Sequence, residues 1–278
     1  MNPLLRRGAL DRFVLVALTL LALTWMAPLL WVVALSFKPN EFLLRHTDVF
    51  LSPPYTLANY ADILQTSAVF RWLGNSAAVA LMQTVGVLVL SSLAGYGFAR
   101  CEFPGRKWLF ALVMFGLAVP AQSVFIPLHR LFSEWNLQNT LAGLALPGLA
   151  APFGVYLMTQ YFKAIPAELE EAAILDNASR FKTFLRVILP LTLPAQATLG
   201  IFTFLGSWND YLWPLVIATQ PDMYTLTRGL ASTQTNFAQS EGLGFLMAQA
   251  VFAGVPALML YLFFQRHLVT AVAGTGKS

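Results

Sequence analysis

The side chains able to do covalent chemistry are few and scattered in this chain. His46, His129 and His267 lie in three separate stretches, and no pair has the spacing that puts two imidazoles on one metal ion. Cys101 is the single cysteine, so an internal disulfide framework is excluded, and it reads as a helix-end packing residue. No Gly-x-Ser-x-Gly elbow is present. Gly274-Thr275-Gly276-Lys277-Ser278 matches the end of a phosphate-loop pattern, but the glycine required five residues before Gly276 is Ala271. The expectation is a protein that is not an enzyme and needs no metal or cofactor. Any ATP hydrolysis that drives it then belongs to another chain.

Recognition chemistry is written at two places. The first is the stretch 163–194, whose core runs from Ile165 to Ser179. Pro166 suits a first helical position. Glu168, Glu170 and Glu171 follow in the first turns, where carboxylates meet the positive end of the helix dipole. Asn177 stands where that helix must stop, and Asn enters the left-handed backbone region more easily than other non-Gly residues. A second helical stretch runs from Ser179 to about Leu189, carries Arg180, Lys182 and Arg186, and is closed by Pro190 and Pro194. A helix–turn–helix with this mix of small, apolar and acidic residues suits docking to a protein or resting on lipid. Its acidic start disfavours lipid, where a basic polar face is the rule.

The second place is Trp208-Asn209-Asp210-Tyr211. A carboxylate near mid-bilayer costs about 3 kcal/mol on insertion scales. Asp210 should therefore face a helix interface or an aqueous path. Hydrogen-bonding groups beside aromatic rings suit sugars, whose hydroxyls need partners and whose apolar ring faces lie on aromatics. The other reading is that Asp210 tethers its helix to a neighbour, with Trp208 and Trp213 as interface anchors.

The elements that position these residues are set by composition. Of the 278 residues, 57% are hydrophobic and 11% charged, against roughly 25% charged in soluble domains. Six apolar stretches are long enough to cross a bilayer, at about 13–37, 73–98, 108–128, 140–162, 195–218 and 245–264. Each should be helical, because lipid offers the backbone no hydrogen-bond partners. Pro28, Pro120, Pro147, Pro152 and Pro256 fall inside them and predict kinks. The first stretch is too long for a signal-peptide core and reads as a retained span. The fold class is all-α: a polytopic membrane protein with six transmembrane helices, a cytoplasmic loop at 163–194, and a single domain spanning 1–278.

The net charge of +4 does not point to nucleic acid, since the basic residues sit in short clusters between apolar runs. They do report orientation. With both termini cytoplasmic, Arg6, Arg7, Arg12, Arg100, Arg106, Lys107, Lys163, Arg180, Lys182, Arg186, Arg266 and Lys277 lie inside. Only Lys38, Arg45, Arg71, Arg130 and Arg228 lie outside.

At the 163–194 loop the sequence resembles a known family. Permease subunits of binding-protein-dependent ATP-binding cassette importers carry Glu-Ala-Ala, three residues, Gly, nine residues, then Ile-x-Leu-Pro. Here the same spacing reads Glu171-Ala172-Ala173, Asn177, and Val187-Ile188-Leu189-Pro190, with Asn for the Gly and Val for the first Ile. Tyr96-Gly97-Phe98-Ala99-Arg100, Phe103-Pro104-Gly105-Arg106, the run from Phe204 to Pro214, and Gln265-Arg266-His267-Leu268-Val269 resemble the carbohydrate (maltose-type) branch.

The resemblance implies a subunit that forms half of the pathway of a sugar or oligosaccharide importer in a prokaryotic inner membrane. Its implied partners are ATP-binding subunits at the cytoplasmic loop, a second, related permease chain, an extracytoplasmic solute-binding protein and membrane lipid. Implied coupling residues are Glu170, Glu171, Ala172, Ala173, Asp176, Asn177 and Pro190. Implied pathway residues are Trp208, Asn209, Asp210 and Tyr211. Two alternatives stay open: import of another small solute, such as a glycerol phosphoester, or a membrane-embedded enzyme. The first needs cations on the pathway, and the second needs paired acids or a metal cluster.

Overall fold

The computed structural model describes residues 8–45, 52–65, 67–234 and 242–274. Arg6, Arg7, His46 and 275–278, on which expectations above rest, lie outside the described residues. Among the described residues the regular elements are all helices. The chain divides into two compact units, Met1–Ser67 with Ser232–Val255, and Ala68–Ala231 with Pro256–Ser278.

In the first unit, α1 (Ala9–Ser36) is apolar around its whole circumference, and none of its most hydropathic window is buried within the protein. Phe13 and Trp25 are 70% and 75% exposed. Such a helix needs lipid around it. It is followed by α2 (Asn40–Arg45) and α3 (Ala58–Gln65). The turn between α1 and α2 is held by Asn59, whose Nδ2 donates to the carbonyls of Ser36 and Lys38 at 2.9 Å each. Lys38 is fully buried, with Nζ donating to the Ser52 carbonyl and lying 4.1 Å from the centre of the Tyr55 ring.

In the second unit, α4 (Ser67–Arg100) is one continuous helix of 34 residues, about 51 Å long at 1.5 Å per residue. The third and fourth apolar stretches are bent pairs of helices, and a further bent pair leads into the fifth. Arg106–Ala118 and Ala121–Glu134 meet at 96°, Leu141–Leu149 and Pro152–Ala164 at 48°, and Arg180–Leu191 and Leu193–Asn209 at 76°. The elements from Arg106 to Asn209 are α5 (Arg106–Phe115), α6 (Phe125–Glu134), α7 (Leu141–Ala145), α8 (Pro152–Ala164), α9 (Glu168–Leu175), α10 (Arg180–Thr183), α11 (Leu189–Leu191) and α12 (Leu193–Asn209), with short 3-10 or π turns among them.

Proline accounts for the first two breaks. Val119 is extended at ψ 116°, because a residue before proline is driven out of the helical region, and Pro120 follows at ψ 126°. Ala151 before Pro152 leaves the helical region for the same reason, at ψ 76°. Pro28 and Pro256, by contrast, lie inside helices that run on past them. The expected fifth stretch, 195–218, is interrupted in another way. It ends at Asn209, passes through an extended Asp210, and resumes as α13 (Leu212–Ile217). Among the described residues, three helices are thus long and apolar enough to cross a membrane alone, and the count reaches six if each bent pair is one span. The chain continues as α14 (Leu226–Gln234) and α15 (Gly242–Gly274).

Among the described residues, two buried clusters hold the second unit. One gathers Val79, Phe132, Leu144, Trp213 and Ile217, with Trp213 Nε1 donating to the Gly143 carbonyl at 2.9 Å. The other gathers Val87, Met158, Phe162, Phe184, Ile188 and Leu199 beneath the 163–194 loop. Within it α4 and α8 cross closely. A Cβ on Gly95 would sit 2.7 Å from Met158 Cβ and 3.0 Å from the Thr159 backbone nitrogen. Small residues permit such contact between membrane helices.

Candidate coupling site

The loop folds as a helix–turn–helix, with one change at its entry. Pro166 was expected at the first helical position, but α9 begins at Glu168, and Ala167 is the residue whose carbonyl receives the first amides, from Glu170 at 2.9 Å and Glu171 at 3.1 Å. Pro166 instead fixes the extended entry, with Ile165 at ψ 131°. All three glutamates fall in the first turn.

The exit of α9 follows the residue types closely. Asn177 has φ +54°. The Ala178 amide donates to the Ala173 carbonyl at 3.0 Å, and the Asn177 amide to the Ile174 carbonyl at 2.9 Å. This pair of bonds is the Schellman motif, which closes the last carbonyls of a helix around one left-handed residue. Ser179 then caps α10, its Oγ accepting from the Lys182 amide at 3.4 Å. A π turn at Phe184–Ile188 leads to α11, which carries Pro190.

The candidate coupling residues point in different directions. Glu171, Ala172, Asp176, Asn177 and Pro190 are exposed. Ala173 is buried against its own chain. Glu170 also turns inward: its Oε1 faces Arg100 Nε at 3.1 Å as an ion pair, with the two side chains only 17% and 16% exposed. Tyr96 donates from its hydroxyl to Glu170 Oε2 at 3.4 Å, and Arg100 Nη2 donates to the Ile165 carbonyl. Tyr96 also packs on the loop's aromatic support, edge-on to Phe162 with ring centres 5.7 Å apart and tilted against Phe184 at 4.8 Å. A small cavity of about 100 Å³ lies beside this pair, lined in part by Cys101, Ile174 and Arg180.

Sequence reasoning did not assign Tyr96 or Arg100 a role here. Their one signal is the i,i+4 spacing that puts both on the same face of α4. Meanwhile the outward side of the loop carries Leu169, Ile174, Leu175 and Phe181, with Leu175 83% exposed. The usual burial order is inverted: a glutamate faces in and leucines face out.

The candidate pathway residues do not form one cluster. Trp208 is buried and stacks on Phe204, with ring centres 5.7 Å apart. Asn209 is exposed, and its Nδ2 donates to the Leu205 carbonyl at 2.8 Å. The Asp210 carboxylate faces the backbone amides of Trp213, Leu212 and Tyr211 at the start of α13. Its carbonyl accepts from Thr227 Oγ1 at 2.7 Å. Tyr211 is 38% exposed. Among the described residues no group of three or more His, Cys, Asp or Glu is placed to hold a metal ion.

Lipid-facing helices, proline-broken spans and an acidic loop helix define a multi-pass α-helical membrane protein. Residues 87–274 match the family described as the binding-protein-dependent transport system inner membrane component, and the chain belongs to that family. Its members are transport components rather than enzymes. The chain is 34% identical over 252 residues to the arabinooligosaccharides transport system permease protein AraQ of Halalkalibacterium halodurans, covering 90% of each. It is 32% identical over 256 residues to the diacetylchitobiose uptake system permease protein NgcG of Streptomyces coelicolor, covering 89% of this chain and 82% of that protein. Its fold is similar to that of a chain in a bacterial ATP-binding cassette transporter that imports alginate, with TM-score 0.78, 20% identity, and coverage of 94% and 98%.

Proposed function

We propose that this chain is one permease half of an ATP-driven importer of sugars or oligosaccharides, and that α9 is its docking helix for the ATPase. The observation that carries the reading is the outward face of α9. Glu171 and Ala172 are exposed there beside Ile174 and Leu175. An acidic, small-residue tip next to unsheltered apolar side chains suits a protein partner with basic residues and an apolar cleft. The Schellman turn at Asn177 ends the helix abruptly, so the tip projects. Pro190 closes the element through the π turn before it.

The proposed assembly has a second, related permease chain, two ATPase subunits at the loops and an extracytoplasmic solute-binding protein. ATP-driven closure of the ATPase pair moves α9, and the spans alternate between inward-facing and outward-facing states. Both termini are cytoplasmic, supported by the excess of basic residues in the loops that this orientation puts inside. Sugar as the substrate class is supported by the relatives that carry arabinooligosaccharides and diacetylchitobiose. Asn209 and Tyr211, exposed at the break between α12 and α13, are the proposed pathway contacts. Irregular backbone within a span is tolerated where it lines a cavity. Trp208 and Asp210 hold that break in shape.

The test is expression with the partner subunits and uptake of radiolabelled arabinotriose, diacetylchitobiose and glycerol 3-phosphate. ATP-dependent accumulation of a saccharide supports the proposal. Accumulation of the phosphoester alone assigns the chain to the other solute class, and accumulation without ATP removes the importer reading.

A further inference from the structure

We propose that Arg100 is a positioning residue that clamps the coupling helix to the membrane bundle, acting through Glu170. The inference rests on the reading of α9 as the docking helix and concerns how motion there reaches the spans. The covalent route from α9 back to α8 passes through Pro166 and Ala167, a stretch without regular structure. Arg100 bypasses it. Its guanidinium serves two points on either side of this hinge: Nη2 donates to the Ile165 carbonyl before it, and Nε lies 3.1 Å from Glu170 Oε1 after it, an ion-pair contact without hydrogen-bond alignment. Guanidinium has five donors in a fixed fork, so it can hold a carbonyl and a carboxylate together, and an ammonium lacks that geometry. Tyr96, one turn earlier on α4, donates to the other Glu170 oxygen and packs on Phe184 of the outgoing segment.

Arg100 itself stands on rigid ground. It ends the 34-residue α4. One turn back, Gly95 lets α4 press against the α8 backbone at Met158 and Thr159. α4, α8, the loop entry and α9 therefore form a closed bracket, with Arg100 as its pin. Arg180 borders the same cavity, but its side chain is exposed and no bond ties it to Glu170. The pin is mostly shielded from water, so the pair is screened less than a surface pair. Removing either charge leaves the other partly buried and uncompensated.

The experiment uses the importer purified with its ATPase subunit and reconstituted in liposomes, with the panel saccharide that the unaltered complex accumulates. Arg100→Gln, Glu170→Gln and the double variant are compared for membrane insertion, ATPase co-purification, and saccharide moved per ATP hydrolysed. Each single variant is expected to retain the ATPase subunit, because the outward face of α9 is untouched, yet to move about tenfold less saccharide per ATP, within the coupling range of residues that share one network. The double variant is expected to do no worse than either single one, because no charge is left unpaired.

Multiplying losses in the double variant overturn the proposal, as does wild-type transport per ATP in both single variants. Loss of the ATPase subunit from Glu170→Gln also overturns it, since Glu170 is then a docking contact. Arg100→Lys guards against mere misfolding. It keeps the charge but not the fork, and should fall between Arg100 and Arg100→Gln in transport per ATP at equal insertion; equality with Arg100→Gln overturns the fork argument. Failure of the docking reading is seen separately, as retention of the ATPase subunit by Glu171→Lys.

Discussion

Replacing Asn177 gives the sharpest test of the loop's geometry. The residue sits at φ +54° and closes α9 through two backbone hydrogen bonds, at 3.0 and 2.9 Å. An ordinary L-residue loses roughly 1–2 kcal/mol in the left-handed region, and a β-branched one sits at the unfavourable end. Val at 177 therefore has two options. It can keep the turn at a cost of about 2 kcal/mol of strain. It can instead release the turn and give up both bonds, each worth about 1 kcal/mol net. The options cost about the same, so either way the ordered turn falls by about 2 kcal/mol, roughly a thirtyfold change in its population. Gly at 177 reaches the same region without strain and loses only a fraction of a kcal/mol to extra freedom in the unfolded chain. Uptake and ATPase co-purification are measured for Asn177→Gly and Asn177→Val at matched membrane levels. Near-normal values for Gly and a several-fold fall for Val are expected. Equal values for the two variants would refute the claim that a left-handed residue is required.

The remaining predictions concern the face of α9, the helix crossing behind it and the topology. Glu171→Lys reverses the exposed charge and should abolish uptake and ATPase co-purification while leaving insertion intact, a loss of about 2–5 kcal/mol at the docking contact; normal recovery of the ATPase subunit removes Glu171 from docking. Ala172→Trp, on the exposed side, should act like Glu171→Lys. Ala173→Trp should instead lower the yield of folded protein by overpacking, by about 1–3 kcal/mol, and equal thermal stability of these two tryptophan variants contradicts the assigned facing. Gly95→Val should cut the melting temperature sharply because the α8 backbone is the obstacle, whereas Gly97→Ala, with nothing within 4 Å of the added carbon, should be neutral; similar losses in both weaken the close-crossing argument. Reporter fusions after Arg100 and Lys182 should read cytoplasmic and fusions near Pro53 and Asp222 external, and an external signal at Lys182 reverses the orientation.

Much of this protein is determined by the sequence alone, wherever the governing physics is local or bulk. Apolar content fixes a membrane environment, because no soluble chain of this length can hide it. The Asn177 turn is local chemistry: few residue types accept a positive φ, and one stands at the helix end. Pro120 and Pro152 announce breaks for the same reason, although their angles of 96° and 48° depend on what each half packs against. Facing is another matter. On α9 the acids and the aliphatics alternate around the helix, so hydrophobic periodicity cannot say whether Glu170 or Glu171 turns inward. Only the tertiary structure decides it, by bringing Arg100 from 70 positions earlier in the chain to one side of the helix. The same holds for Trp208, Asn209, Asp210 and Tyr211. Adjacent in sequence, they are separated by a helix break, because Asp210 is held by the amides that begin α13. An ion pair between distant elements leaves no mark in local spacing, and a helix in lipid needs no polar face to reveal which side its neighbours cover.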